Sequence, residues 1–156
     1  MQIETRFGTT ETNENKIINF PSGLPGFEDL HQFIIIEAGN TKPIYWLQSA
    51  ENKHIALPLI ISFAILNDYN INIRENELED LYVESENDLL ILNVVVIPED
   101  ITKMTVNLAA PVVINAKRGI GKQIIIDAAE LPLRYPIYEA IQESLRGGSK
   151  DAGTHA

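Results

Sequence analysis

The chain has 156 residues, 45% of them apolar, no cysteine and a net charge of −10. That length points to one domain that can bury roughly 70% of the surface its unfolded chain exposes. The composition excludes disulfides, thiolate catalysis and zinc–thiolate centres, and it argues against a disordered chain.

The charge is uneven. Residues 1–100 carry 17 acidic against 5 basic side chains, whereas residues 101–156 carry 5 acidic against 7 basic. The run ENELEDLYVESEND (75–88) holds seven acids and no base. A phosphate-gripping surface needs the opposite sign, so direct nucleic-acid binding is not expected. An acidic run is either a solvated face or a surface that attracts a basic protein and repels its RNA. The opening MQIETRFG lacks a basic stretch followed by an apolar one, so no secretory signal is expected. The longest apolar runs, IALPLIISFAIL (55–66) and LLILNVVVI (89–97), are too short for a bilayer helix, which needs about 20 residues. The expectation is a cytoplasmic protein with no membrane association.

Taken in order, the elements are mostly strands. QIETRF (2–7) alternates, placing Ile3, Thr5 and Phe7 on one face. KIINF (16–20) follows. FPSGLPGF (20–27) then sets Phe20, Leu24 and Phe27 between two prolines that fix φ and two glycines that accept positive φ. Ser22-Gly23 and Pro25-Gly26 predict consecutive turns. Lacking a ligand-holding polar group, the stretch reads as a rigid corner leading to QFIII (32–36). IYWLQS (44–49) is the next strand and contains the only Trp, Trp46. Gln48 and Ser49 at its end are turn formers or contact residues.

Further strands are expected over 55–63, 71–73, 89–97, 104–108, 111–115 and 122–127. NDYNINI (67–73) places Tyr69 in a turn, its hydroxyl reaching solvent or a partner. Residues 75–81 suit a turn or two of helix. LLILNVVVI is apolar on both faces and too β-branched for a helix, so it belongs at the centre, with Asn93 as a buried polar group in need of partners. About ten short strands favour a barrel or sandwich. PIYEAIQESLR (136–146) reads as one short C-terminal helix, with Ile137, Ile141 and Leu145 on one face and Gly147 as the cap. Residues 147–156 read as a disordered polar tail. The expected fold is therefore a mainly β, small barrel-like single domain over residues 1–146 with little helix.

Catalytic patterns are weak. His31, His54 and His155 are far apart and in no metal-binding spacing, and no serine lies in a nucleophile elbow. The pairs Glu28–Asp29 and Glu99–Asp100 read as loop or helix-start carboxylates. AKRGIGKQ (116–123) misses the first glycine and the Ser/Thr of a phosphate loop. It reads instead as a hairpin loop whose Lys117, Arg118 and Lys122 form a small basic tip. No cofactor, metal or small-molecule substrate is expected. An enzyme with an unrecognised acidic site is the alternative, and an oligonucleotide-binding barrel a weaker one, disfavoured by 7% aromatic content and the acidic charge.

FPSGLPGFEDLHQFII, WLQSAENKHIALPLI, DYNINI and NLAAPVVINAKRGIGKQIII, in this order and spacing, resemble the flagellar assembly factor FliW family over about residues 2–127. Leu57 stands where many members have Phe, and SFAILNDY lacks a proline associated with that stretch. The resemblance implies a small β-barrel without catalysis. It also implies a regulator of flagellum assembly with two mutually exclusive partners. One is flagellin, bound in a chaperone-like manner. The other is CsrA, the RNA-binding translational regulator that represses flagellin mRNA and is antagonised away from its RNA groove. A −10 chain would be steered towards such a basic regulator. Glu75, Glu77, Glu79 and Asp80 are the candidates for that contact. Leu24, Phe27, Trp46 and Tyr69 are the candidate lining of an apolar groove for flagellin's amphipathic helices, with Gln48 and Ser49 as further candidate contacts.

Overall fold

Short β-branched runs separated by turn residues make short strands, and eleven occur among the described residues. The computed structural model describes residues 1–38, 40–126 and 131–155, with side chains described as far as Arg146. The strands are β1 (Gln2–Thr5), β2 (Gly8–Glu11), β3 (Ile18–Asn19), β4 (Gln32–Ile36), β5 (Tyr45–Ser49), β6 (Ala56–Ile60), β7 (Leu89–Val96), β8 (Thr105–Val106), β9 (Val112–Asn115), β10 (Ile120–Gln123) and β11 (Tyr135–Pro136). The helices are α1 (Ser62–Ile65), α2 (Glu75–Leu78) and α3 (Tyr138–His155).

Seven strands, in the order β7-β6-β5-β4-β3-β10-β9, close into a barrel because β9 pairs back onto β7. All neighbours are antiparallel except β3 and β10, which run parallel through the single pair Ile120↔Asn19. β7 carries the closure. Its first half, Leu89–Leu92, pairs with β9, and its end, Val95 and Val96, pairs with β8, which in turn holds β11. The hairpin β1–β2 forms a separate two-stranded ribbon.

Strand alternation divides the apolar residues among three cores. Phe20, Phe33, Leu47, Leu59, Leu92 and Ile114 fill the barrel and are almost fully buried. Each such side chain contributes about 1.5–3 kcal/mol of transfer free energy. On the outside, Ile60, Val95 and Val106 meet Ile137 and Ile141 of the α3 region, together with Tyr69. Val113 and Ile124 meet Leu81 from the acidic segment. Successive β7 residues therefore serve different cores, as the unbroken run LLILNVVVI predicts.

Several boundaries differ from expectation. The chain turns at Arg6–Phe7, where Thr5 Oγ1 takes the Phe7 N–H (3.0 Å) and donates to Gly8 O (2.6 Å). Phe7 is consequently 44% exposed and does not share the buried face of Ile3 and Thr5. β2 has no alternating apolar pattern and was not expected. Residues 61–63, assigned to a strand, turn into α1. Residues 71–73 form no strand: Ile71 packs into one outer core and Ile73 into another, with no ladder partner between. The hairpin loop is shorter than AKRGIGKQ, because Gly119 (φ +64°) turns the chain directly into β10. Pro136 pairs in β11, so α3 begins at Tyr138 and continues past Gly147, where a cap was expected. The expected polar tail falls on residues whose side chains lie outside those described.

Candidate partner-binding surfaces

The acidic run folds as a strap on the outside of the barrel. Two acids in its first turn suit the start of α2, and a 3-10 turn (Glu79–Leu81) follows. Leu78, Leu81 and Val83 point down onto Val113, Ile120 and Ile124. Tyr82 then takes a left-handed backbone (φ 54°), fixed because the buried Asn115 amide donates to Leu81 O (2.8 Å) and Tyr82 O (3.3 Å). Ser85 and Asp88 close a capping box around the next turn.

This strap is not the uniformly negative face its sequence implies, because the predicted basic tip pairs with it. Lys122 lies in β10 and reaches Glu77 (3.2 Å) and Asp80 (3.0 Å). Lys117 and Arg118 both approach Glu84, at 3.7 and 3.5 Å, and the Arg118 guanidinium sits 5.7 Å from the Tyr82 ring centre. Partial burial alone would lower the Lys122 pKa, but hydrogen bonds and attraction from Asp80 and Glu77 outweigh it and hold the ammonium above the usual lysine range. Among the described residues, Glu75, Glu79 and Glu86 make no ion pair. Of the four candidate acids, Glu75, Glu79 and Asp80 are exposed and Glu77 is half-buried.

The corner FPSGLPGF is built as two turns, closed by Gly23 N to Phe20 O (2.9 Å) and Phe27 N to Leu24 O (2.7 Å). Gly23 has φ +66°, and a Cβ there would lie 2.7 Å from the backbone of Phe27 and Glu28, so only glycine fits. Phe20 and Leu24 are buried in the barrel, and Phe27 packs against them.

Of the apolar groove candidates only Leu24 and Phe27 are brought together, in the barrel core, while Trp46 and Tyr69 lie apart from them and from each other. Leu24 is 2% exposed inside the barrel. Trp46 is half-buried on the outer face of β5, donating Nε1–H to Thr41 Oγ1 (3.2 Å) and meeting Phe7 edge-on at 5.1 Å. Tyr69 is buried, contrary to the expected exposed hydroxyl. Its Oη donates to Leu108 O (2.8 Å) and accepts from Asn93 Nδ2 (3.1 Å), because residues 62–71 fold back under α3. Burial raises the Tyr69 pKa, with the Asn93 hydrogen bond acting in the opposite direction. Asn93 also donates to Asn107 O (2.9 Å), while its Oδ1 is buried without a partner among the described residues.

Gln48 and Ser49 are fully buried and shape the chain rather than offering contacts. Gln48 Oε1 accepts from Arg6 N (3.1 Å), which pins the β1–β2 hairpin. Ser49 Oγ accepts from Glu51 N and Asn52 N, which closes the following turn. The Glu51 carboxylate in turn accepts from His31 N and Gln32 N at the start of β4, and these bonds hold its pKa below the usual carboxylate range.

One surface leaves almost no mark in the sequence. A cleft of about 710 Å³ opens beside β4, floored by Ile18, Ile35, Tyr45, Leu90 and Leu92 and edged by Glu11, Lys16 and Glu37. Its only sequence signal was TNEN (12–15), a run of turn formers that cuts β3 short. Exposed apolar side chains include Val96 (60%), Ile101 (50%) and Leu133 (65%). No group of three or more His, Asp or Glu side chains that could hold a metal occurs among the described residues. No helix of the described residues is long and apolar enough to cross a membrane.

Comparison with known proteins agrees with this architecture. The FliW protein family model matches residues 2–137. The flagellar assembly factor FliW of Thermoanaerobacter pseudethanolicus is 43% identical over 146 residues, covering 92% of this chain and 97% of its own. That of Clostridium tetani is 39% identical over 140 residues, covering 89% and 97%. A crystal structure of the flagellar assembly factor FliW superposes with a TM-score of 0.82 at 29% identity, covering 88% of this chain and 97% of that one. A match over nearly the whole barrel, in sequence and in fold, makes this chain a member of the FliW family.

Proposed function

We propose that the protein is a non-enzymatic, cytoplasmic regulator of flagellum assembly. It binds the translational regulator CsrA and relieves repression of flagellin mRNA, and it binds flagellin as a chaperone-like partner, one partner at a time. The observation that carries the reading is family membership across residues 2–137, shared with relatives named as flagellar assembly factors. Charge supports it. A chain of −10 is drawn to a basic RNA-binding protein, and faster at low salt. The strap refines which acids contribute. Glu77, Asp80 and Glu84 are occupied by the chain's own cations, which leaves Glu75, Glu79 and Glu86 to act outwards.

The test is a titration of a CsrA–flagellin leader RNA complex with this protein. RNA release is expected, weakening as salt rises. Glu75→Gln with Glu79→Gln should reduce the potency of release by about two- to thirtyfold at low salt, from about 0.2–1 kcal/mol per exposed charge, and should flatten its salt dependence. Unchanged potency and salt dependence would remove the electrostatic part of the reading. No release at all would remove the antagonism itself.

A further inference from the structure

The barrel wall has a gap, and its backbone chemistry specifies what can fill it. β3 pairs with β4 only through Ile18↔Phe33 and Asn19↔Gln32. Just before β3, the Asn13 side chain caps a 3-10 turn (Glu14–Lys16), and the N–H groups of Lys16 and Ile17 turn inwards to Asn13 O and Glu14 O. The chain thus leaves the sheet where it would have faced Ile35. The direction of the free groups follows from strand alternation. His31 O accepts from Phe20 N on the β3 side, and Gln32 O accepts from Ala50 N on the β5 side. Odd positions of β4 therefore address β3, and the N–H and C=O of Ile35 point into the gap. No backbone hydrogen bond reaches Ile35 there among the described residues.

The cleft of about 710 Å³ lies at this gap. The Ile35 side chain packs towards the barrel core, so a neighbour opposite it would direct a side chain over Ile18, Tyr45, Leu90 and Leu92. The cleft edge carries two carboxylates, Glu11 and Glu37, against the ammonium of Lys16, and the Met1 amino group lies 3.8 Å from Glu11, which leaves Glu37 as the unpaired acid of the edge among the described residues.

We propose that this gap is a strand-addition site. It receives an extended segment of a partner protein that bears an apolar residue opposite Ile35 and lysine or arginine on either side. A helix fills the gap poorly, since its own backbone groups are already paired internally. An extended segment supplies the missing donor and acceptor to Ile35 and an apolar side chain to the floor. The basic flanks follow from the edge carboxylates and from the net charge of −10. The inference goes beyond the functional reading above and depends on neither partner named there.

The experiment is amide hydrogen exchange followed by NMR on the full chain. The probe is a short synthetic peptide of alternating valine and threonine with lysine at both ends. In the free protein the Ile35 amide should exchange at least about a hundredfold faster than that of Ile34, which addresses β5. Saturating probe should slow Ile35 by about tenfold or more. The same peptide N-methylated at the positions facing β4, and a helix-forming peptide of equal charge, should leave Ile35 unchanged. Glu11→Gln with Glu37→Gln should weaken probe binding about two- to tenfold. Ile35 as protected as Ile34 in the free protein, equal binding of the N-methylated peptide, or probe-induced protection elsewhere but not at Ile35 would each overturn the proposal.

Discussion

Replacing Lys122 by Met tests whether charge or apolar contact fastens the acidic strap to the barrel. Methionine keeps much of the unbranched stem, so packing changes little while the cation is lost. In the native chain the Lys122 side chain is 22% exposed and serves two acids. Glu77 is 3.2 Å away and 39% exposed, whereas Asp80 is 3.0 Å away but 68% exposed. The Asp80 pair is largely solvated and is worth about 0.5 kcal/mol, and the more sheltered Glu77 pair about 1 kcal/mol. The expected loss is about 1–2 kcal/mol, or about 2–8 °C in Tm for a domain of this size. It should shrink in 1 M salt, where the Debye length falls to about 3 Å. Urea unfolding at low and high salt measures it, and the Leu81 amide should exchange faster in the variant. A loss below about 0.3 kcal/mol, or one insensitive to salt, would refute the argument. Leu78, Leu81 and the Asn115 hydrogen bonds would then hold the strap unaided.

Other outcomes follow from the buried groups. Tyr69→Phe leaves Leu108 O without its donor and Asn93 with one partner fewer, so it should cost about 1–3 kcal/mol in urea unfolding. Gly23→Ala combines a left-handed backbone with a Cβ 2.7 Å from the Phe27 and Glu28 backbone, and should cost about 2–4 kcal/mol or prevent folding, read by the same assay. Both Lys122 and Tyr69 have raised pKa values in the folded chain, so their stabilisation is complete below the unfolded values of about 10. Stability should fall as pH rises through and above about 10, and Tyr69→Phe should make that fall shallower. Glu51 has the opposite sign. Its contribution is present above the unfolded carboxylate value and is lost as pH falls through its depressed folded one, so Glu51→Gln should reduce the acid sensitivity of unfolding.

The barrel was legible because its strands carry their own signal. LLILNVVVI is apolar on both faces because both faces are covered, and QFIII and YWLQS are β-branched or aromatic between turn formers. The short strands were less legible. GTTE of β2 is largely exposed and YP of β11 has only two residues, so neither has an apolar period to read. The candidate partner surface was less legible still, because its charge balance depends on contacts remote in sequence. Seven acids without a base looked like an open negative field. Their counter-ions lie some 30–45 residues further on, in a hairpin read as a free basic tip. Tyr69 sits among turn residues in the sequence, yet its hydroxyl bonds to Leu108 and Asn93. The cleft at Ile35 is defined by a strand that stops, and the stop shows only as TNEN.

Size-exclusion chromatography of this protein with CsrA, with flagellin, and with both together tests the central claim most directly. The account predicts a complex with each partner alone and, in the mixture, transfer of the protein from CsrA to flagellin without a ternary peak. A stable ternary complex would contradict mutual exclusion. Separate elution of all three proteins would contradict the docking function altogether.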